Sequence, residues 1–241
     1  MTAHLISVVH SLYTRANDAK GTRMRTVSRA VGALTGQRAS RPDRRTYLTA
    51  SISLAGLATF VIGVLVLHLL KSDVNPARHT ISEYVLGDFG WIQTIDFLAG
   101  GIGAFALALT LRRSVSDPGR IAPVLIGVWG VCAASLALFP TDVTPEPTTT
   151  TGWAHGIIAL TGFALLIAGM FVIARRFGGD PAWSTLRRPT IVWAWTASAT
   201  FFLIPILGPS GQGIGQRIFV TVLFSWMLAV AYRARDLARS A

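Results

Sequence analysis

The sequence predicts an all-α membrane protein, a bundle of six transmembrane helices with a short outer helix in the first loop. Three observations lead there. Of the 241 residues 51% are hydrophobic and only 14% charged, with a mean hydropathy of +0.52, against about 25% charged in soluble domains. Apolar runs near 20 residues recur along the chain, and about 20 is the length a helix rising 1.5 Å per residue needs to cross about 30 Å of hydrocarbon. Charges, finally, separate by sign between alternate connections. No alternating barrel pattern is present, and backbone amides cannot be left unpaired in lipid, so the spans are helices.

Residues 1–46 hold nine Lys/Arg against Asp18 and Asp43 and no apolar run long enough for a signal-peptide core. They read as a basic, disordered cytoplasmic tail that lies on anionic lipid, with Met24 an alternative start. The transmembrane domain covers 47–233, with spans at about 47–70, 92–111, 121–139, 153–174, 189–207 and 214–232. A short cytoplasmic tail, 234–241, closes the chain. Gly100, Gly101 and Gly103 give the second span a smooth face for a close neighbour, and the Gly208 to Gly213 turn makes a tight outer hairpin.

Basic residues dominate the N-terminal tail, the second and fourth connections (112–120 and 175–188) and the C-terminal tail, whereas the first (71–91) and third (140–151) are net acidic. The positive-inside rule reads this as a plasma-membrane protein with both termini cytoplasmic. A net charge of +11 does not indicate nucleic acid here, because the basic residues flank apolar spans. Cys132, the single cysteine, excludes an intrachain disulfide.

Two polar stretches fall on the outer face. Asn75-Pro76 is a helix start and Gly87 a stop, which predicts a helix over about 76–86. His79, Ser82 and Glu83 then share one face, a spacing that suits a metal pair or a histidine base held by a carboxylate. The second stretch carries Asp142, after Pro140, and leads to His155. Arg217 sits in the first outer turn of the last span, where its planar fork could hold a carboxylate or a lipid phosphate. Asp96, about one turn inside the second span, is costly in hydrocarbon by about 2.5 to 3.5 kcal/mol on insertion scales. It should face the bundle interior and have a partner, for which Arg217 is the natural candidate. Asp142 is the other carboxylate that Arg217 could pair with.

These motifs, Arg78-His79-Thr80-Ile81-Ser82-Glu83-Tyr84 with Leu86-Gly87, Gly90 to Thr94, Leu138 to Asp142, Gly152 to His155 and Gly215-Gln216-Arg217, resemble a family of bacterial multi-pass membrane proteins known as domain of unknown function 998. The resemblance covers about residues 50–235 and implies six spans and no established activity. The basic N-terminal tail lies outside it.

The reading of function follows from the outer set. His79, Glu83, Asp142 and His155 are candidate catalytic residues and candidate ligands of a divalent metal, and Arg217 and Ser82 are candidate anion or lipid head-group ligands. The expected partner is membrane lipid, bound or modified at its head group. The competing class is a non-enzymatic structural or interaction protein in which the same residues form an ion-pair network. Two minor alternatives are a transporter, for which Asp96 alone lies in the hydrocarbon, and a haem protein using His68 and His155.

Overall fold

The computed structural model describes residues 43–143 and 148–240, so the expectations for residues 1–42, including Met24, lie outside the described residues, as do Pro145, Glu146 and Pro147; residues 44–46, expected in the disordered tail, instead begin the first helix. Five helices are present among the described residues: α1 (Arg44–Leu70), α2 (Gly90–Ser114), α3 (Ile121–Ser135), α4 (Thr150–Gly178) and α5 (Arg187–Ser240), with short 3-10 turns at Ile81–Val85 and Ser184–Leu186. Four helices, α1, α2, α4 and the one that includes α5, are long and apolar enough to cross a membrane, and α3 is a shorter apolar helix.

Local chemistry sets the helix ends. The Asp43 carboxylate accepts the N–H groups of Arg45 (3.1 Å) and Thr46 (3.3 Å), and the Thr46 hydroxyl, at the start of α1, satisfying amides that have no partner within a helix. Thr149 does the same for α4 through Gly152 N–H (3.0 Å). Arg112 and Arg113 end α2 and Arg175 and Arg176 end α4, where cations complement the helix dipole. The expected third span, 121–139, is helical only as far as Ser135. Beyond it Ala137 and Leu138 bond three residues back, to Ala134 and Ser135. Pro140 bars the helical path from continuing past this turn, because the residue before a proline, Phe139, is pushed out of the helical region.

The 54-residue α5 reverses on itself. Gly208 has φ 61° and ψ −169°, a conformation open essentially to glycine alone, and Pro209 follows as the first residue of a new helical turn. The Trp226 indole N–H donates to the Thr190 hydroxyl (3.2 Å), the Trp193 indole N–H to the Ser225 hydroxyl (3.1 Å), and Phe201 lies 5.3 Å from Phe219. Partners drawing steadily closer in sequence toward position 209 define an antiparallel pair of limbs, 187–207 and 209–240. The hairpin is tighter than expected, and residues 210–213 are helical. The second limb also runs on through Ser240, so no separate C-terminal segment begins at 234.

Each helix packs on the next, and α5 closes the ring against α1 and α2. In its most apolar window α2 is 61% buried, against 39% for α1 and 33% for α4, which makes it the central helix. Its glycines serve packing, as expected. A side chain on Gly103 would meet Leu57 N at 2.8 Å, and one on Gly101 would meet Gly130 O at 2.5 Å, so α1 and α3 approach its backbone directly. Phe60 stacks on Phe224 (4.2 Å) at the centre, with Trp129 edge-on (6.1 Å). Leu65, Ile102, Val128, Leu160, Val192 and Trp195 are exposed, an outward apolar surface suited to lipid rather than water.

Polar contacts concentrate at the two ends. At one, the buried Asp180 accepts the Ser116 N–H (2.8 Å) and hydroxyl (2.9 Å) and the Ala182 N–H (2.9 Å), and Arg176 pairs with Asp117 (2.7 Å). Burial works against the Asp180 charge, yet these donors outweigh it and hold the carboxyl below its usual range. The other end carries the candidate site.

Candidate functional site

The loop between α1 and α2 is held from both sides. Lys71, buried at the end of α1, turns its ammonium to the carbonyls of Leu86 (2.5 Å) and Asp88 (2.9 Å), which fastens the far end of the loop to the near one. The α-helix expected over 76–86 is not formed. Asn75 does cap, taking Ala77 N–H (2.9 Å), but only a turn follows, and the chain restarts as the 3-10 turn Ile81–Val85. The reason is a capping box at Thr80-Ile81-Ser82-Glu83. The Glu83 carboxylate reaches back to Thr80 N–H (2.8 Å) and its hydroxyl (3.1 Å), so the helical start lies at Thr80.

Glu83 is 3% exposed and its second oxygen meets His79 Nδ1 at 2.7 Å. The expected His79–Glu83 pair is therefore present, on a turn rather than a helix. Ser82 faces elsewhere. With Gln216 it lines a small, largely apolar pocket of about 40 Å³ among Phe60, Phe97, Trp129 and Phe224.

Arg217 occupies the centre of this end. Its Nε–H donates to His68 Nε2 (2.9 Å), Nη1 to the carbonyls of His79 (2.6 Å), Pro76 (2.9 Å) and Gly213 (3.1 Å), and Nη2 to the Tyr84 hydroxyl (2.9 Å). His68 is placed to receive because its Nδ1 lies 2.7 Å from Val64 O. A carbonyl can only accept, so Nδ1 carries the proton and Nε2 offers a lone pair to Arg217. The guanidinium also lies 5.4 Å over the Tyr84 ring. Beside it, Gln216 accepts Ile81 N–H (2.6 Å), and Gly213 and Ile214 N–H share Ala77 O (2.9 and 3.3 Å).

The ion pairs among the described residues, His79–Glu83, Arg176–Asp117 and Arg233–Asp236, do not include Arg217. The expected pairing of Arg217 with Asp96 or Asp142 is thus corrected. Asp142 serves the start of α4, accepting Thr148 N–H and Thr149 N–H (2.7 Å each) and the Thr149 hydroxyl (2.8 Å). These bonds, those of Thr149 first, hold its carboxyl below the usual range. Gly152 makes room for it, since any side chain there would overlap the carboxylate.

Asp96 does face the interior, 1% exposed, against the notch left by Gly63 on α1, but its Oδ2 has no hydrogen-bond partner. His155, 4% exposed, lies with Nδ1 2.7 Å from Phe139 O and its ring 5.9 Å from Phe97. His68 and His155 thus have separate partners, and the structure does not bring them to a common point. His79 and Glu83 meet, whereas Asp142 and His155 each sit in their own hydrogen-bonded place. Among the described residues no group of three or more His, Cys, Asp or Glu is placed to share a metal ion.

Four participants were missed from sequence: Lys71, Tyr84, Gln216 and Gly213. The Thr80 capping box was a legible signal. Those four were not, because their partners, loop carbonyls for Lys71 and Gly213, the Ile81 N–H for Gln216 and the Arg217 guanidinium for Tyr84, depend on a loop path the sequence does not reveal.

Apolar helices long enough to cross a bilayer, an apolar exterior and polar contacts gathered at the two ends define a helical integral membrane protein. The chain belongs to the family described as "Protein of unknown function (DUF998)", whose model matches residues 54–233. Comparison with curated proteins and with solved structures returned no match.

Proposed function

We propose that this protein crosses the plasma membrane six times, the limbs of α5 counted separately, with both termini cytoplasmic, and binds the head group of an anionic phospholipid at its outer, Arg217 end. One observation carries the reading. A lateral groove of about 360 Å³ runs between α1 and the second limb of α5, walled by Val61, Val64, Leu65, Val220, Phe224 and Leu228 and ended by His68 and Arg217. Such a groove suits an acyl chain, and the ion pairs among the described residues do not include the cation at its polar end. Of the five guanidinium N–H donors, one on Nη2 remains beyond those already placed, enough for one charge-assisted bond to a phosphate oxygen.

Binding is favoured over catalysis because the candidate catalytic residues His79, Glu83, Asp142 and His155 are spread over separate local bonds. The near-saturation of Arg217 supports a second reading, in which the network is a structural clamp that fastens the first loop to α1 and α5.

The two separate in one experiment on detergent-purified protein, by lipid phosphate assay and mass spectrometry. Thr221 lines the groove and makes none of the Arg217 bonds, so Thr221→Trp fills the groove while every partner of the network stays in place. Stoichiometric anionic phospholipid on the parent, lost in Thr221→Trp at unchanged melting temperature, supports the binding reading; equal lipid on both sinks it. Arg217→Gln is expected to lower unfolding free energy by on the order of 2 kcal/mol in either case, since several bonds to a charged group go at once.

A further inference from the structure

We infer that Asp96 is an exchangeable proton-binding site inside the α2 span, with Gln93 linking it to the polar end of the bundle. The two residues are three apart on α2 and so share a face, with Gln93 about one helical turn nearer the helix start. Gln93 is fully buried, and both its amide oxygen and its amide nitrogen lack partners; Asp96 is 1% exposed, and its Oδ2 lacks one. Adjacent unpartnered polar groups at this depth need a chemical explanation, and packing alone does not supply one. The fold makes space for the carboxyl, because Gly63 leaves the notch that a side chain would fill.

The surroundings indicate a proton rather than a metal ion or an internal cation. From α1 the nearest titratable group in sequence to the notch is His68, whose two nitrogens are committed to Val64 O and Arg217. From α4 His155 approaches the same helix, its ring against Phe97 and its Nδ1 at Phe139 O, while its buried Nε2, like the Asp96 Oδ2, has no hydrogen-bond partner among the described residues. From the 3-10 turn at Ile81–Val85, which also packs on α2, Glu83 bonds His79 and Thr80 and Tyr84 receives Arg217; Cys132 of α3 and Arg217 of α5 stand on the remaining sides, and no hydrogen bond joins either to Asp96 among the described residues. No ion pair among the described residues includes Asp96. An alkali ion would require several oxygen ligands, and these side chains offer two residues' worth. A carboxyl group without a counter-charge, buried in a span, is instead neutral when it carries its proton. The glutamine amide both donates and accepts, which lets it pass hydrogen bonding from the carboxyl toward the loop.

The test is modification of the full-length protein in detergent with dicyclohexylcarbodiimide, read by peptide mass spectrometry. The protonated carboxyl gives its proton to a carbodiimide nitrogen while its oxygen adds to the central carbon. Acyl migration to nitrogen then gives a stable N-acylurea, with nothing lost. The expected result at neutral pH is an adduct on Asp96 but none on the exposed Asp236, faster at acid pH, slower at alkaline pH, absent in Asp96→Asn and indifferent to sodium chloride. Sodium-dependent protection would overturn the proton assignment in favour of an alkali-ion site. A rate independent of pH would overturn it too. So would the absence of an adduct on native protein when the same peptide is modified after denaturation.

Discussion

At the scale of single residues, burial and partner choice separate side chains that look alike in sequence. Asp96, Asp142 and Asp180 are three aspartates near the ends of helices, yet one holds a buried oxygen with no hydrogen-bond partner among the described residues, one caps α4 and one joins the two connections at the basic end. Asp142 carries a prediction with a definite sign. Its pKa is lower in the folded state than the unfolded value of about 3.9, so its contribution is fully present above that pH and is lost as pH falls through the folded value. Asp142→Asn removes this titration. Thermal melts across the acid range should show a shallower fall below about pH 3.9 in the variant than in the parent; parallel curves would count against the assignment. The sequence marked Asp142, His79, Glu83 and Arg217 as participants, but not their partners. Arg217 was expected to meet a carboxylate because opposite charges attract most strongly in an apolar setting. The structure satisfies it with carbonyls and a neutral histidine, which become available only when the loop folds over the end of α5.

At the scale of elements, the loop at 72–89 and the second limb of α5 interlock through Gly213. A side chain there would meet the carbonyls of His79 and Pro76 at 2.5 Å each, and these belong to loop backbone that Arg217 also holds. Gly213→Ala is therefore expected to loosen the loop and cost about 1 to 3 kcal/mol, whereas Gly156→Ala, with open space around it, should be close to neutral. Hydrogen exchange of the 72–86 amides checks this, and equal protection in both variants would refute the interlock. The apolar helices were legible, since long apolar runs have few alternatives, whereas the polar helix expected over 76–86 did not form. The 3-10 turn at 81 and the early end of α3 were less so. There a local capping box and a proline competed with longer-range pattern, and the short-range interaction won.

At the scale of the whole molecule, the proposed six-span topology places the loop at 72–89 and the connection that holds Ser116 on opposite sides of the membrane. Single cysteines at Asn75 and Ser116, introduced in a Cys132→Ser background, should react with an impermeant thiol reagent from opposite sides of the membrane, Asn75→Cys from outside. Reaction of both from one side would overturn the topology. The sequence by itself determined the class of the protein, the approximate place of each apolar helix and the family, because hydrocarbon thickness and backbone hydrogen bonding leave a chain of this composition few choices. Only the tertiary structure decided that Arg217 binds carbonyls and His68, that the Asp96 Oδ2 beside Gly63 has no hydrogen-bond partner among the described residues, and that His79, Asp142 and His155 occupy separate places. Those outcomes depend on how close two backbones approach and which carbonyls a loop turns inward, quantities of an ångström or so that no residue pattern encodes.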